Sequence, residues 1–118
     1  LMGVGHATLH GVSGVDTLIG GEGDDMYIMY YDATMVDIIV ENADEGSDTV
    51  LVTASYTLAD NIENAELLGN ANATLTGDAG ANTLRGNYGA NTIDGGAGGD
   101  AMFGGGGNDV FIVDDEAD

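Results

Sequence analysis

The sequence predicts an all-β chain wound as a coil, in which short strands alternate with tight turns. Two spacings and one imbalance of charge carry that prediction. Large apolar residues recur every nine positions as Leu9, Leu18 and Tyr27, and again as Leu75, Leu84, Ile93, Met102 and Phe111. Glycines keep the same step at Gly11 and Gly20 and at Gly77, Gly86, Gly95 and Gly104. A period of nine fits neither an amphipathic helix nor a lone strand, but it fits a repeating strand-and-turn unit. The turns carry acids, and the chain holds 21 acids against one base, Arg85, for a formal charge of −20. Self-repulsion of that size opposes compaction unless cations bind.

Residues 3–28 read as a first block of nonapeptide-like units. Gly3–His10 is one residue short, Gly11–Ile19 is full length, and Gly20-Gly21-Glu22-Gly23-Asp24-Asp25-Met26-Tyr27-Ile28 is the most regular. Residues 29–68 change character and form a spacer. Met26–Met29, Val36–Val40, Thr49–Val52, Tyr56–Leu58 and Ile62–Leu68 are apolar and β-prone. Asp32–Thr34, Glu41–Ser47 and Ala59–Asn61 are polar connections. Ala59–Leu68 is the one stretch where a single helical turn is expected. Residues 69–112 form a second block, whose first unit, Gly69–Thr76, is again short by one.

A longer period overlies the short one. Gly11, Gly20, Asp25 and Tyr27 each return 84 residues on, as Gly95, Gly104, Asp109 and Phe111. Residues 113–118 then begin a second spacer, so residues 1–118 are expected to be one domain cut from a longer array.

Composition excludes several functions. Phosphates of nucleic acid and anionic lipid would be repelled. No apolar run approaches the length of a membrane span, and no cysteine is present for a disulfide or thiol site. His6 and His10 are the only histidines and make no zinc set. His10, Ser13 and Asp16 share one loop without a separate orienting element, so they make no triad. No helix or lysine follows the glycine loops, which therefore do not cradle phosphate. The chain is expected to be no enzyme.

Gly20–Ile28, Gly95–Phe103 and Gly104–Ile112 match G-G-x-G-x-D-x-U-x, and with these three units the chain resembles the RTX, or hemolysin-type, calcium-binding repeats. The spacer is similar to those between repeat blocks of large RTX exoproteins: Asp25-x-Tyr27, Asp37-x-Ile39-x-Glu41, Gly46-x-Asp48-Thr49-Val50, Tyr56-x-Leu58 and Asn61-x-Glu63-Asn64. The resemblance implies a right-handed parallel β-roll, a secreted bacterial protein exported by type I secretion machinery, and folding triggered by extracellular calcium. Asn82 and Asn91 depart from the motif. They stand where it has aspartate, so their loops are expected to bind calcium weakly or not at all.

The spacing explains why such turns suit calcium. Two nonapeptides make one turn of a roll, which places residue i beneath i+18. Calcium takes six to eight oxygens at about 2.3–2.6 Å, more than one loop offers. Two stacked loops supply them: Gly77–Asn82 with Gly95–Asp100, Gly86–Asn91 with Gly104–Asp109, and Gly95–Asp100 with Val113–Asp118. Gly20–Asp25 is expected over the Gly3 unit, and Gly11–Asp16 beneath Met29–Thr34. The expected ligands are Gly14, Asp16, Gly21, Gly23, Asp25 and Asp32 in the first half. In the second they are Gly95, Gly96, Ala97, Gly98 and Asp100, then Gly104, Gly105, Gly106, Gly107 and Asp109. Asp94 is expected outside the shell. Whether Asp37, Glu41 and Asp48 bind metal is left open.

The expected function is a calcium-binding module of a larger secreted protein such as a toxin, adhesin or hydrolase. The rival is a carbohydrate-binding accessory module of a polysaccharide-modifying enzyme, with Tyr30 and Tyr31 as candidate contacts.

Overall fold

A computed structural model describes residues 6–11, 14–29, 38–41 and 46–113. Twelve short strands and no helix occur among them. They are β1 (Thr8–Gly11), β2 (Thr17–Ile19), β3 (Met26–Met29), β4 (Ile38–Val40), β5 (Thr49–Val52) and β6 (Tyr56–Thr57). Then follow β7 (Asn64–Leu67), β8 (Thr74–Thr76), β9 (Thr83–Arg85), β10 (Thr92–Asp94), β11 (Ala101–Phe103) and β12 (Val110–Ile112).

Odd and even strands lie on opposite faces. The first face is a six-stranded sheet in the order β1-β3-β5-β7-β9-β11; the second holds β6-β8-β10-β12, with β2-β4 as a separate pair. Every strand pairing among the described residues is parallel. The chain is therefore a parallel β-roll, each turn taking one strand from each face.

Within the repeats the rung step is 18 residues. Leu9 lies beneath Tyr27, Leu84 beneath Met102, and Leu75 beneath Ile93, which lies beneath Phe111. The spacer breaks that step. Met26 pairs with Thr49, Thr49 with Asn64, and Asn64 with Thr83, displacements of 23, 15 and 19. On the other face Thr17 pairs with Ile38, a displacement of 21. The loop of Asp16 therefore meets β4, not Thr34 as a uniform step of 18 requires. The stretch expected to hold a helical turn instead makes a turn at Asp60–Asn61 and then strand β7, with Asn61 at φ +67°.

The core is the column between the faces formed by the residues that recur every nine positions, the eighth of each full-length unit. Leu18, Tyr27, Leu75, Leu84 and Ile93 are fully buried, and Leu9 nearly so. The four-residue strands of the spacer contribute two inward side chains each: Met29 beside Tyr27, Val52 beside Val50, and Leu67 beside Ala65. Burying each such Leu or Ile is worth roughly 1.5–3 kcal/mol. This thin core is offset by the charge its turns bring together.

Candidate metal-binding turns and the carboxylate ladder

One position repeats along the first face. The residue immediately before each strand is Ala7, Asp25, Asp48, Glu63, Asn82 and Asp100 in turn. Its side chain reaches one rung back. Asp25 Oδ1 accepts the Ala7 N–H at 2.7 Å, Asp48 Oδ1 the Asp25 N–H at 2.8 Å, and Glu63 Oε2 the Asp48 N–H at 2.8 Å. Asp100 Oδ1 accepts the Asn82 N–H at 2.7 Å. On the other face Asp109 Oδ1 accepts the Asn91 N–H at 2.9 Å. The next residue completes a clasp, for Ala101 N–H donates to Asn82 O, and Val110 N–H to Asn91 O, both at 2.8 Å. A charge-assisted bond thus closes the gap that each of these five turns leaves in the backbone ladder.

One carboxylate oxygen is used in this way, and the other turns into the roll. Asp25 is 2% exposed, and its Oδ2 is buried with no hydrogen-bond donor. A Cβ on Gly20 would collide with that atom, one on Gly95 with Asp100 Oδ2, and one on Gly104 with Asp109 Oδ2. The first glycine of each unit is therefore the hollow into which its own aspartate folds.

The paired glycines bring stacked backbones together. Gly96 and Gly98 have φ of +75° and +91°, and a Cβ on either would stand 2.7 Å from a carbonyl oxygen of the loop beneath, Asp78 O or Gly80 O. Gly105 and Gly107 face Asn87 O and Gly89 O in the same way. Gly21 and Gly23 are left-handed too, at +88° and +114°. These turns bring backbone oxygens of two loops beside carboxylate oxygens. That all-oxygen donor set suits a hard cation such as calcium. In the loop of Gly14 and Asp16, Asp16 is half-buried and its carbonyl accepts the Ile38 N–H at 2.7 Å. Asp32, Asp37 and Asp118, named in the sequence reading, lie outside the described residues.

The asparagine loops hold the equivalent turn through their own side-chain amides. Asn82 Oδ1 accepts the Asp78 N–H at 3.0 Å, while its amide donates to Ile62 O at 3.1 Å. Asn91 Oδ1 accepts the Asn87 N–H at 2.9 Å, and its amide points to Ala71 O at 3.4 Å. Asp78 and Asn87 then fold their side chains onto Gly80 N and Gly89 N, making Asx turns. An amide supplies the donor that a carboxylate lacks, so these loops satisfy themselves.

Sequence reasoning left Glu41 and Asp48 undecided. Both are buried, at 7% and 1% exposure, and they converge on Asp25. Burial pushes the Asp48 carboxyl up from the usual carboxylate range. The Asp25 backbone N–H partly offsets this, and the charges of Glu63, Asp25 and Asp24 add to it. Tyr27 donates its hydroxyl proton to Glu41 Oε1. Burial, that bond and the surrounding acids raise the phenol far above its ordinary value. No basic side chain relieves this charge, since Arg85 stacks on Phe103 with its guanidinium 4.5 Å from the ring centre.

The RTX calcium-binding nonapeptide repeat matches this chain in four copies, over residues 3–28 and 74–111. Over 73 residues the chain is 40% identical to an endo-1,3-1,4-beta-glycanase, ExsH, of Rhizobium meliloti (strain 1021). That match takes in 53% of this chain and 15% of the length of the glycanase. No solved structure matches the chain. The repeat match covers more than half of the sequence, and its copies fall on the same glycine turns that stack in the roll. The chain belongs to the RTX calcium-binding nonapeptide-repeat family.

Proposed function

We propose that this roll is a non-catalytic module of a larger secreted bacterial protein, and that extracellular calcium drives its folding. The observation that carries this reading is Asp25 Oδ2, an ionisable oxygen buried without a donor in a chain of charge −20. Burying a lone carboxylate costs on the order of several kcal/mol. A calcium ion turns that cost into a ligand bond, so binding free energy becomes folding free energy. The proposed ligands are Asp25, Asp100 and Asp109 with the backbone of Gly21, Gly23, Gly95–Gly98 and Gly104–Gly107. Gly14, Asp16 and Asp32 form a further candidate set.

Residues 3–28 and 69–112 then act as two calcium-dependent blocks and residues 29–68 as the spacer that joins them. Export through type I secretion machinery fits such a module, which stays unfolded until it meets calcium outside the cell. Far-UV circular dichroism tests this directly. The chain is expected to be disordered in chelator and β-structured in millimolar calcium, with magnesium a poor substitute because it demands a smaller octahedral shell. Equal β-structure in chelator and in calcium would refute the proposal.

The likeness to a glycanase supports a second reading, a carbohydrate-binding accessory role. Tyr30 and Tyr31, the contacts proposed from sequence, lie outside the described residues. Retardation in a polysaccharide affinity gel that Tyr30→Ala or Tyr31→Ala abolishes would favour it.

A further inference from the structure

We propose that Asp25, Glu41 and Asp48 form a calcium site at the junction of the first repeat block and the spacer, distinct from sites made by two stacked glycine turns. The proposal rests on the calcium-binding reading above and extends it from Asp25 to Glu41 and Asp48, which lie outside the matched repeats that end at residue 28 and resume at 74.

The three carboxylates come from different rungs. Asp25 precedes β3, Glu41 follows β4, and Asp48 precedes β5. One oxygen from each lies within 4.8 Å of the others, and all three residues are buried. Asp25 Oδ2 supplies the independent sign of a missing partner, because Asp25 Oδ1 already holds Ala7 and Oδ2 has no donor.

Gly20 marks the point of convergence. A Cβ there would collide with Asp25 Oδ2, Glu41 Oε1 and the Tyr27 hydroxyl at once. Three oxygens on two segments, Asp25 and Tyr27 at β3 and Glu41 after β4, thus face one small space that glycine leaves open. Three buried carboxylates repel one another strongly at such separations. The neighbouring polar groups are oxygens too, including the Tyr27 hydroxyl on Glu41 and the Glu63 carboxylate on Asp48 N. An all-oxygen, triply anionic set with no nitrogen or sulfur ligand selects a hard divalent cation, and its size and irregularity favour calcium over magnesium.

This site would reinforce an irregular step. The step from β3 to β5 is 23 residues, and the loop stacked there puts a lone Gly46 on Gly23, without the paired glycines of the repeats. A cation held by Asp25, Glu41 and Asp48 would tie β3, β4 and β5 across that irregular step, joining the two faces of the roll.

Terbium, an oxygen-seeking stand-in for calcium, tests the placement. Tyr27 lies beside the site and should sensitise terbium luminescence in the intact 118-residue chain. Tyr27→Phe is expected to remove most of the tyrosine-excited signal while leaving the number of bound calcium ions, counted by native mass spectrometry, unchanged. Glu41→Gln and Asp48→Asn are expected to bind one calcium fewer and lose the same signal. Asp109→Asn should keep the Tyr27-dependent signal. An unchanged signal in Tyr27→Phe, or a full ion count in folded Glu41→Gln and Asp48→Asn, would overturn the site. If both acid variants fail to fold, Tyr27→Phe decides the matter alone. Wild-type chain that binds no calcium would instead sink the broader reading, so the two failures are separable.

Discussion

Asp100 holds Asn82 by its backbone: Asp100 Oδ1 accepts the Asn82 N–H at 2.7 Å, and Ala101 N–H donates to Asn82 O at 2.8 Å. The two residues occupy the same position on adjacent rungs, yet one carries a charge and the other an amide. That difference gives the Asn82 rung a side-chain donor, bonded to Ile62 O, that the Asp100 carboxylate lacks.

Exchanging the two side-chain types should therefore move calcium dependence. Asn82→Asp removes the donor to Ile62 O and adds a buried charge, so it should destabilise the chain in low calcium and steepen its response to added calcium. Asp109→Ala should weaken calcium-induced folding. Asn82→Ala should instead lower stability by roughly 1–3 kcal/mol at all calcium levels, since it strands buried polar groups. Calcium titrations followed by circular dichroism at several denaturant concentrations separate these outcomes. Equal shifts in calcium midpoint for Asp109→Ala and Asn82→Ala would contradict the assignment.

Gly80 and Gly98 stand at equivalent places in stacked loops but tolerate different replacements. Gly98 has φ +91° and would press a Cβ to 2.7 Å from Gly80 O. Gly98→Ala should cost about 1–3 kcal/mol through backbone strain and the displaced carbonyl. Gly80 lies in an Asx turn, and its Cβ would meet only Asp78 Oδ1 at 3.4 Å. Gly80→Ala should be neutral, or stabilising by about 0.4–1 kcal/mol through reduced freedom of the unfolded chain. Urea midpoints measured in saturating calcium rank the two.

Thermal stability should keep rising with free calcium after the sites have filled. A site at 100 times its Kd adds about 2.7 kcal/mol, and each further tenfold adds about 1.4 kcal/mol, when the unfolded chain binds nothing. Calorimetric scans over three decades of calcium are expected to show a progressive increase in Tm. A plateau at stoichiometric calcium would show that the unfolded chain binds the ion as well.

Leu84→Ala should be among the more damaging core changes, at about 2–5 kcal/mol. Leu84 is fully buried and sits in line between Ala65 and Met102. Strand β9 contributes this one buried side chain to the core, so little can shift to refill the space. A change in Tm equal to that of an exposed Val110→Ala would refute this account of the core.

The strands were legible because their local sequence repeats. Asp16-Thr17-Leu18, Asp48-Thr49-Val50, Asn82-Thr83-Leu84 and Asn91-Thr92-Ile93 each run from an acid or amide, through a threonine that opens the strand, to a fully buried residue. That shared triplet could have placed Asp48 on the ladder from sequence alone. The period of nine also gave the rung step within the repeats. It could not give the step through the spacer, where loops of unequal length set displacements of 23 and 15. The meeting of Glu41 with Asp25 depends on the step of 21 from β2 to β4, and no periodicity announces it. The expected helical turn at residues 59–68 gave way because the even spacing of Ala65 and Leu67 buries one side of a strand.

The ladder has a direction. Ala7, Asp25, Asp48, Asn82 and Asn91 each receive their side-chain bond from a residue further along the chain. A chain delivered from its N-terminus leaves each newest rung uncapped until the next has arrived. A chain delivered from its C-terminus finds a carboxylate already waiting at these five rungs. The same finished roll is thus reached by two unequal routes, and growth from the C-terminal end is the one in which none of these five waits for its cap.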